Sequence, residues 1–195
     1  MTYKSVIICG ATRPHGVSMK YAKELQEHLI NELSGQYEDI QVDFWSNALN
    51  RVAGCIGCER CRKEYKCVFH DDMDALMNLM NKCDELHVVC PVYFAGPPSK
   101  FKAILDRMQP YWERRIGPNA LKYRNDDNAG AIEPLRCDGE RRPLDIYVIG
   151  AGGDPYGYDA LVTIISSAFG SSGFKVREVH DLIGWCQKSE EAFRV

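Results

Sequence analysis

Four of the nine cysteines lie in one short stretch, "GCIGCERCRKEYKCVFHDDM" at residues 54–73: Cys55, Cys58, Cys61 and Cys67. Thiolates are soft ligands, and their spacing limits what they can hold. Structural zinc usually takes two cysteine pairs from separated turns, whereas three thiols at successive C-x2-C-x2-C spacing resemble the compact loops that carry iron–sulfur clusters. The fourth, after five intervening residues, can close the same cluster. The plain alternatives are thiols that stay reduced, pair as disulfides or hold zinc to brace a long loop, since several soft metals accept sulfur. Arg60, Arg62, Lys63 and Lys66 either offset the charge of a thiolate-bound cluster or form a solvated face. Cys9, Cys83 and Cys90 sit on apolar runs and read as small core hydrophobes. Cys137 and Cys186 carry no signal.

A second set of residues suits an anionic, planar ligand. The stretch "GATRPHGVS" at 10–18 has little bulk and leads straight into an apolar-periodic segment. Backbone N–H groups at a helix start, including those of Gly10 and Gly16, with the hydroxyls of Thr12 and Ser18 and the charge of Arg13, could surround one phosphate. The pattern is neither a Walker A loop nor GxGxxG, and Ser18 could equally be an N-cap with no ligand. In "PVYFAGPPSKFKAILDR", from Pro91, the flat side chains of Tyr93 and Phe94 and the nearby peptide groups could flank a ring system; otherwise they are an aromatic strand end in the core. In "GAGGDPYGYDA", from Gly150, Gly152 and Gly153 permit close backbone approach or mark an ordinary turn. His15, His70 and His87 have no evident partners and read as non-catalytic, with His70 an alternative ligand beside Cys67. No Ser-His-Asp or metal-hydrolase set appears.

These three loops follow three apolar runs, Val6–Cys9, Val88–Cys90 and Ile146–Ile149, as expected of strands covered on both faces. "DIQVDFW" and "KVREVHDLI" alternate and read as edge strands. Between them run helical stripes: Ala22, Leu25, Leu29 and Leu33; Met73, Leu76, Met77, Met80 and Cys83; Phe101, Ile104, Leu105 and Met108; and an apolar helix from about Asp159 to Phe169. Strand then helix, repeated, predicts an α/β three-layer sandwich with a five-stranded parallel sheet in the flavodoxin-like order 2-1-3-4-5. Its ligand crevice lies beyond the carboxyl ends of the first, third and fourth strands, where the three loops are.

Length and charge exclude several classes. A chain of 195 residues reads as a single domain over 1–195, with a cysteine-motif loop at 54–70 and a charged excursion at 113–143 whose composition predicts surface rather than core. Trp112, at the root of that excursion, reads as core packing or a contact to the ring edge. A formal charge of −3 argues against gripping nucleic acid or anionic lipid. With no signal-like start and no apolar run near the roughly 18 residues of a membrane span, a cytoplasmic protein is expected.

The runs "PVYF…SKFKAILDR", "GCIGCERC" and "CVFHDDM" together resemble the flavodoxin-fold NAD(P)H-dependent FMN reductases and their iron–sulfur flavoprotein relatives. That resemblance implies FMN, with Gly10, Thr12, Arg13, Gly16 and Ser18 about the phosphate. Pro91, Val92, Tyr93, Phe94, Ala95 and Gly96, and Gly150, Gly152 and Gly153, would lie along the isoalloxazine. Ala11 and Val17 depart from the family's phosphate loop, G-S-x-R-x-x-x-N-[ST], with Thr12 and backbone donors in compensation. The resemblance also implies a [4Fe–4S] cluster on Cys55, Cys58, Cys61 and Cys67, NAD(P)H as a donor, and a homodimer or homotetramer. The function expected is an FMN-dependent oxidoreductase passing electrons from a reduced donor to a small acceptor. A cluster-free NAD(P)H-dependent FMN or quinone reductase and a non-enzymatic redox-sensing metal-binding module are the alternatives.

Overall fold

The computed structural model describes residues 2–118 and 141–185. Cys137, Cys186 and most of the charged excursion lie outside the described residues. The five strands are β1 (Tyr3–Cys9), β2 (Ile40–Ser46), β3 (Glu85–Pro91), β4 (Arg142–Gly150) and β5 (Phe174–Ile183). All pair in parallel, in the order β2-β1-β3-β4-β5. This is the flavodoxin-like arrangement. The continuous apolar runs are the three central strands, and the two alternating runs are the edges, because an edge strand needs cover over less of its surface.

Alternation within each strand divides the core in two. Val6 and Ile8 of β1, Leu86, Val88 and Cys90 of β3, and Leu144, Ile146 and Val148 of β4 face the larger half. It is covered by α3 (Asp72–Lys82), α4 (Ser99–Asp106), α5 (Gln109–Arg115) and α6 (Asp159–Ser171). Phe101, Ile165 and Phe169 are fully buried there, each contributing roughly 1.5–3 kcal/mol of burial. Ile7, Cys9, Val89 and Ile149 face the other half, against Met19, Ala22, Leu25, Leu29 and Leu33 of α1 (Val17–Ser34). The remaining element, α2 (Arg60–Glu64), is a single turn inside the cysteine loop.

Three sequence expectations change. The stripe through Met108 divides into α4 and α5 at Arg107–Met108, and Pro110 falls in the first turn of α5, where its missing N–H costs nothing. Cys83 is buried, but as the C-cap of α3 rather than on its stripe. The ends of the 113–143 excursion are core, since Glu113, Arg114 and Arg142 are buried. For Arg142 the cost of burying the charge is offset by several hydrogen bonds. Arg142 donates to the carbonyls of Met80 (2.6 Å), Cys83 (2.8 Å) and Ser172 (3.1 Å) and stacks 4.0 Å over Phe174.

A polar cluster interrupts the α1 face. His87 is 1% exposed; its Nε2 lies 3.1 Å from Glu85 Oε1 and its Nδ1 3.2 Å from the Tyr147 hydroxyl. It therefore has partners that the sequence did not reveal. A bulge in the β4–β5 register between Leu144 and Asp145 leaves Arg177 unpaired in the ladder. Its guanidinium binds Asp145 and Glu85, as bulges commonly re-aim a side chain.

Candidate functional site

The three loops meet at the carboxyl edge of β1, β3 and β4. Each is tied to another. Thr12 Oγ1 lies 3.4 Å from the Tyr93 hydroxyl. The Val92 N–H donates to Ile149 O at 2.9 Å, and the Ala95 N–H to Asp154 Oδ2 at 3.1 Å. The first turn of α6 closes the set, with Leu161 N–H donating to Ala95 O at 3.0 Å. Asp154 was not singled out in the sequence; an Asp followed by Pro in a glycine-rich turn was the available signal.

In the first loop the helix begins two residues earlier than a Ser18 N-cap would allow. Gly16 is the N-cap, in extended conformation with φ −84° and ψ 165° and no side-chain cap bond. Ser18 is a buried first-turn residue. Here the Gly16 N–H donates to Arg13 O at 3.4 Å and the Met19 N–H to Gly16 O at 3.0 Å, so Gly16 serves as the cap rather than as a free donor. The N–H groups of Val17 and Ser18 are the ones this helix end can offer an anion. Arg13 is exposed beside it. Gly10, by contrast, donates its N–H to Val89 O at 2.8 Å, so it is not a phosphate donor. It is glycine because a Cβ would come within 3.0 Å of the Phe101 ring and 3.2 Å of Cys90 Sγ.

In the second loop Phe94 is 100% exposed and Tyr93 46%. They do not pack into the core. Phe94 and Ala95 hold φ of 51° and 59°, a left-handed pair rare outside glycine. A bridge between Tyr93 and Gly96 and the bonds to Asp154 and Leu161 hold it. Strain of this kind gathers at ligand clamps. In the third loop Gly152 and Gly153 both have φ +88°, while a Cβ on Gly150 would lie 2.8 Å from Ile183 Cδ1. Val92, Gly150, Gly152, Gly153 and Asp154 line a cavity of about 330 Å³ there.

The four thiols of the cysteine loop open on one cavity of about 470 Å³, walled across by Arg107, Pro110, Trp112 and Glu113. Trp112, 37% exposed, lines this wall rather than the core. Left-handed residues at Gly57, Glu59 and Tyr65 curl the loop around α2. Among the described residues, no group of three or more His, Cys, Asp or Glu is drawn together as a metal cage. The donor set nonetheless fits a soft metal, because four thiols of one loop share one cavity, and thiol cages commonly close only around the metal. Burial, with the Glu113 carboxylate next, raises the pKa of Cys61. The guanidinium of Arg60 binds Glu64 (2.7 Å), and that of Arg62 binds Glu59 (3.3 Å) and approaches Glu113 (3.7 Å). Those two cations are thus committed to carboxylates. His70 pairs with Asp74 at 3.1 Å and does not line the cavity. Burial pushes the Cys9 thiol up to about 11 and holds the Cys90 thiol well above its usual value, which leaves both inert in the core.

Two residues beside the cysteine loop escaped the sequence reading. Asp71 caps α3 by accepting from Met73 N–H at 3.1 Å, and accepts from Ala53 N–H at 2.8 Å. Burial would raise its pKa, but the Arg107 guanidinium and these two N–H groups hold it below the usual carboxylate value. An acid just before an apolar run is a cap signal; nothing in sequence links it to Arg107.

With this geometry in view, comparison with known proteins is specific. Residues 3–163 match the model of the NADPH-dependent FMN reductase family. An iron–sulfur flavoprotein of Methanocaldococcus jannaschii is 32% identical over 114 residues, covering 58% of this chain and 54% of that protein. An iron–sulfur flavoprotein of Archaeoglobus fulgidus is 34% identical over 111 residues, covering 57% of this chain and 48% of that one. The chain spans about half the length of the curated relatives it matches. In fold it resembles a solved flavone reductase, with a TM-score of 0.66 at 17% identity over 98% of this chain and 58% of that chain. The family match takes in the strands and helices that carry all three crevice loops and the cysteine loop, and this chain belongs to the NADPH-dependent FMN reductase family.

Proposed function

We propose that this protein is an FMN-dependent oxidoreductase of the iron–sulfur flavoprotein type, passing electrons between a reduced donor, NAD(P)H or a protein, and a small acceptor. The observation that carries the reading is the convergence of Cys55, Cys58, Cys61 and Cys67 on one cavity, in a family built around FMN. When bound, a flavin accepts electrons in pairs as hydride while a [4Fe–4S] cluster passes them singly, so the two together convert one into the other. In this chain the first turn of α1, with Thr12, Arg13, Gly16 and Ser18, would bind the phosphate. Tyr93, Phe94, Ala95 and the glycines at 150, 152 and 153 would hold the ring and keep water from one side of it. Gly10 supports this loop by letting Phe101 pack beneath it. We also read the assembly as a homodimer or homotetramer and the compartment as cytoplasmic; the seven described thiols are all free, which suits a reducing environment.

The second reading, a cluster-free NAD(P)H-dependent flavin or quinone reductase, is supported by the match to the NADPH-dependent FMN reductase family. Anaerobic purification with counts of iron, sulfide, zinc and flavin separates the two. The first reading expects iron and sulfide with flavin, and zinc or no metal with flavin selects the second. Substituting Cys58→Ser should then remove most of the iron and leave the flavin; unchanged iron would show that Cys58 is not a ligand.

A further inference from the structure

The cysteine loop leaves and re-enters the fold at two stems, and one buried side chain touches both. Arg107, immediately after α4, is 1% exposed. Its guanidinium binds the Asp71 carboxylate and donates to Ala53 O (3.4 Å) and Phe69 O (3.4 Å). It also lies 5.3 Å over the Phe69 ring. Asp71 completes the circle by accepting from the Ala53 N–H at 2.8 Å, and its neighbour Asp72 accepts from the Arg51 N–H at 2.7 Å. The chain before Cys55 and the chain after Cys67 are therefore fastened to each other and to the end of α4.

We propose that Arg107 and Asp71 form a clasp that sets the separation of the two stems and so positions the four thiols to close on a metal. This rests on the reading of the loop as a metal-binding site. The physical reason is entropic. A long loop with free ends must lose conformational freedom when four of its side chains are drawn to one centre, and closing its stems beforehand removes part of that cost. Arginine suits the task because a planar fork can reach a carboxylate and two carbonyls at once, which a lysine ammonium on a single flexible stem cannot reproduce. The clasp touches no thiol. Arg107 and Asp71 are positioning residues, and their effect should appear in metal affinity rather than in flavin affinity.

The test uses the full chain, stripped of metal without oxygen and titrated with cobalt(II), whose thiolate charge-transfer absorption reports sulfur ligation directly. Arg107→Met and Asp71→Asn should each weaken cobalt(II) binding by roughly 10–100-fold, the usual effect of losing a group that orients ligands. Arg107→Lys should recover only part of that loss. The double variant should bind about as weakly as either single one, because the pair acts as a unit. FMN affinity should change less than about twofold, since the flavin-binding loops do not include these residues. A second measurement needs no metal: in the metal-free protein the Ala53 amide should exchange with deuterium more slowly than those of Gly54 to Gly57. In Arg107→Lys that protection should fall while the central strands stay protected.

Wild-type cobalt affinity in both Arg107 variants, or an Ala53 amide exchanging as fast as Gly54, would overturn the clasp and leave the metal-binding reading standing. A wild-type chain that takes up neither cobalt(II) through sulfur nor iron with sulfide would overturn the metal-binding reading, and with it the clasp's purpose. The exchange data would then decide separately whether the stems are joined.

Discussion

Gly10 and Gly153 sit in loops of the same crevice, and each is glycine for a different reason. At Gly10 the obstacle is the neighbour, the Phe101 ring beneath the loop; at Gly153 nothing stands within 4 Å and the obstacle is the backbone, held at φ +88°. The two should fail differently. Gly10→Ala overpacks a filled core and should cost about 1–3 kcal/mol, lowering the melting temperature with or without FMN. Gly153→Ala should cost about 1–2 kcal/mol of backbone strain. Part of that is relieved by letting the turn change shape, so its larger effect should be on flavin affinity. Melting curves of both variants with and without FMN check this.

Among the elements, α3 and α6 depend on a residue that belongs to neither. Arg142, first in β4, donates to carbonyls at the C-terminal ends of both helices, through Met80 and Cys83 of one and Ser172 of the other. Helix C-termini leave carbonyls unpaired and carry partial negative charge, so a buried guanidinium there meets two needs together. Replacing it with Met keeps the bulk and leaves several buried carbonyls without donors. Arg142→Met should therefore destabilise the fold by about 2–4 kcal/mol in urea denaturation. A variant within about 0.5 kcal/mol of wild type would mean that water takes over those carbonyls.

At the level of the molecule, the polar cluster across β3, β4 and β5 sets how stability follows pH. Burial works to raise the Glu85 pKa, but the contact with His87 and the charges of His87 and Arg177 outweigh it and hold the value below the usual range. A depressed carboxylate stabilises the fold above its unfolded pKa, about 4.3, and that contribution is lost as pH falls through the folded value. Glu85→Gln should thus lower the melting temperature at neutral pH and flatten its decline below about pH 4.5. If the wild-type and variant curves stay parallel into acid, the cluster does not couple folding to protons. The sheet draws β1 and β5 from opposite ends of the described chain. We expect the chain to unfold as one domain in a single transition, with tryptophan fluorescence and far-UV circular dichroism coinciding.

Strand order and the two-sided burial of β1, β3 and β4 were legible in the sequence, because a run such as "SVIIC" or "HVVC" leaves no polar face for water. So were the three crevice loops, which follow those runs, and the cysteine spacing. Other features were hidden because they depend on residues far apart in the chain. Arg107 meets Asp71 and Ala53 only when α4 is laid beside the stems of the cysteine loop, and His87 meets Tyr147 only across paired strands. Gly10 looked like a phosphate donor until β3 took its N–H. Periodicity along a chain reports which face is dry, whereas the satisfaction of a buried charge depends on what the folded chain places opposite it. In this protein, patterning set the layers, and tertiary contact alone decided which polar groups are braces, which are caps and which remain open to a ligand.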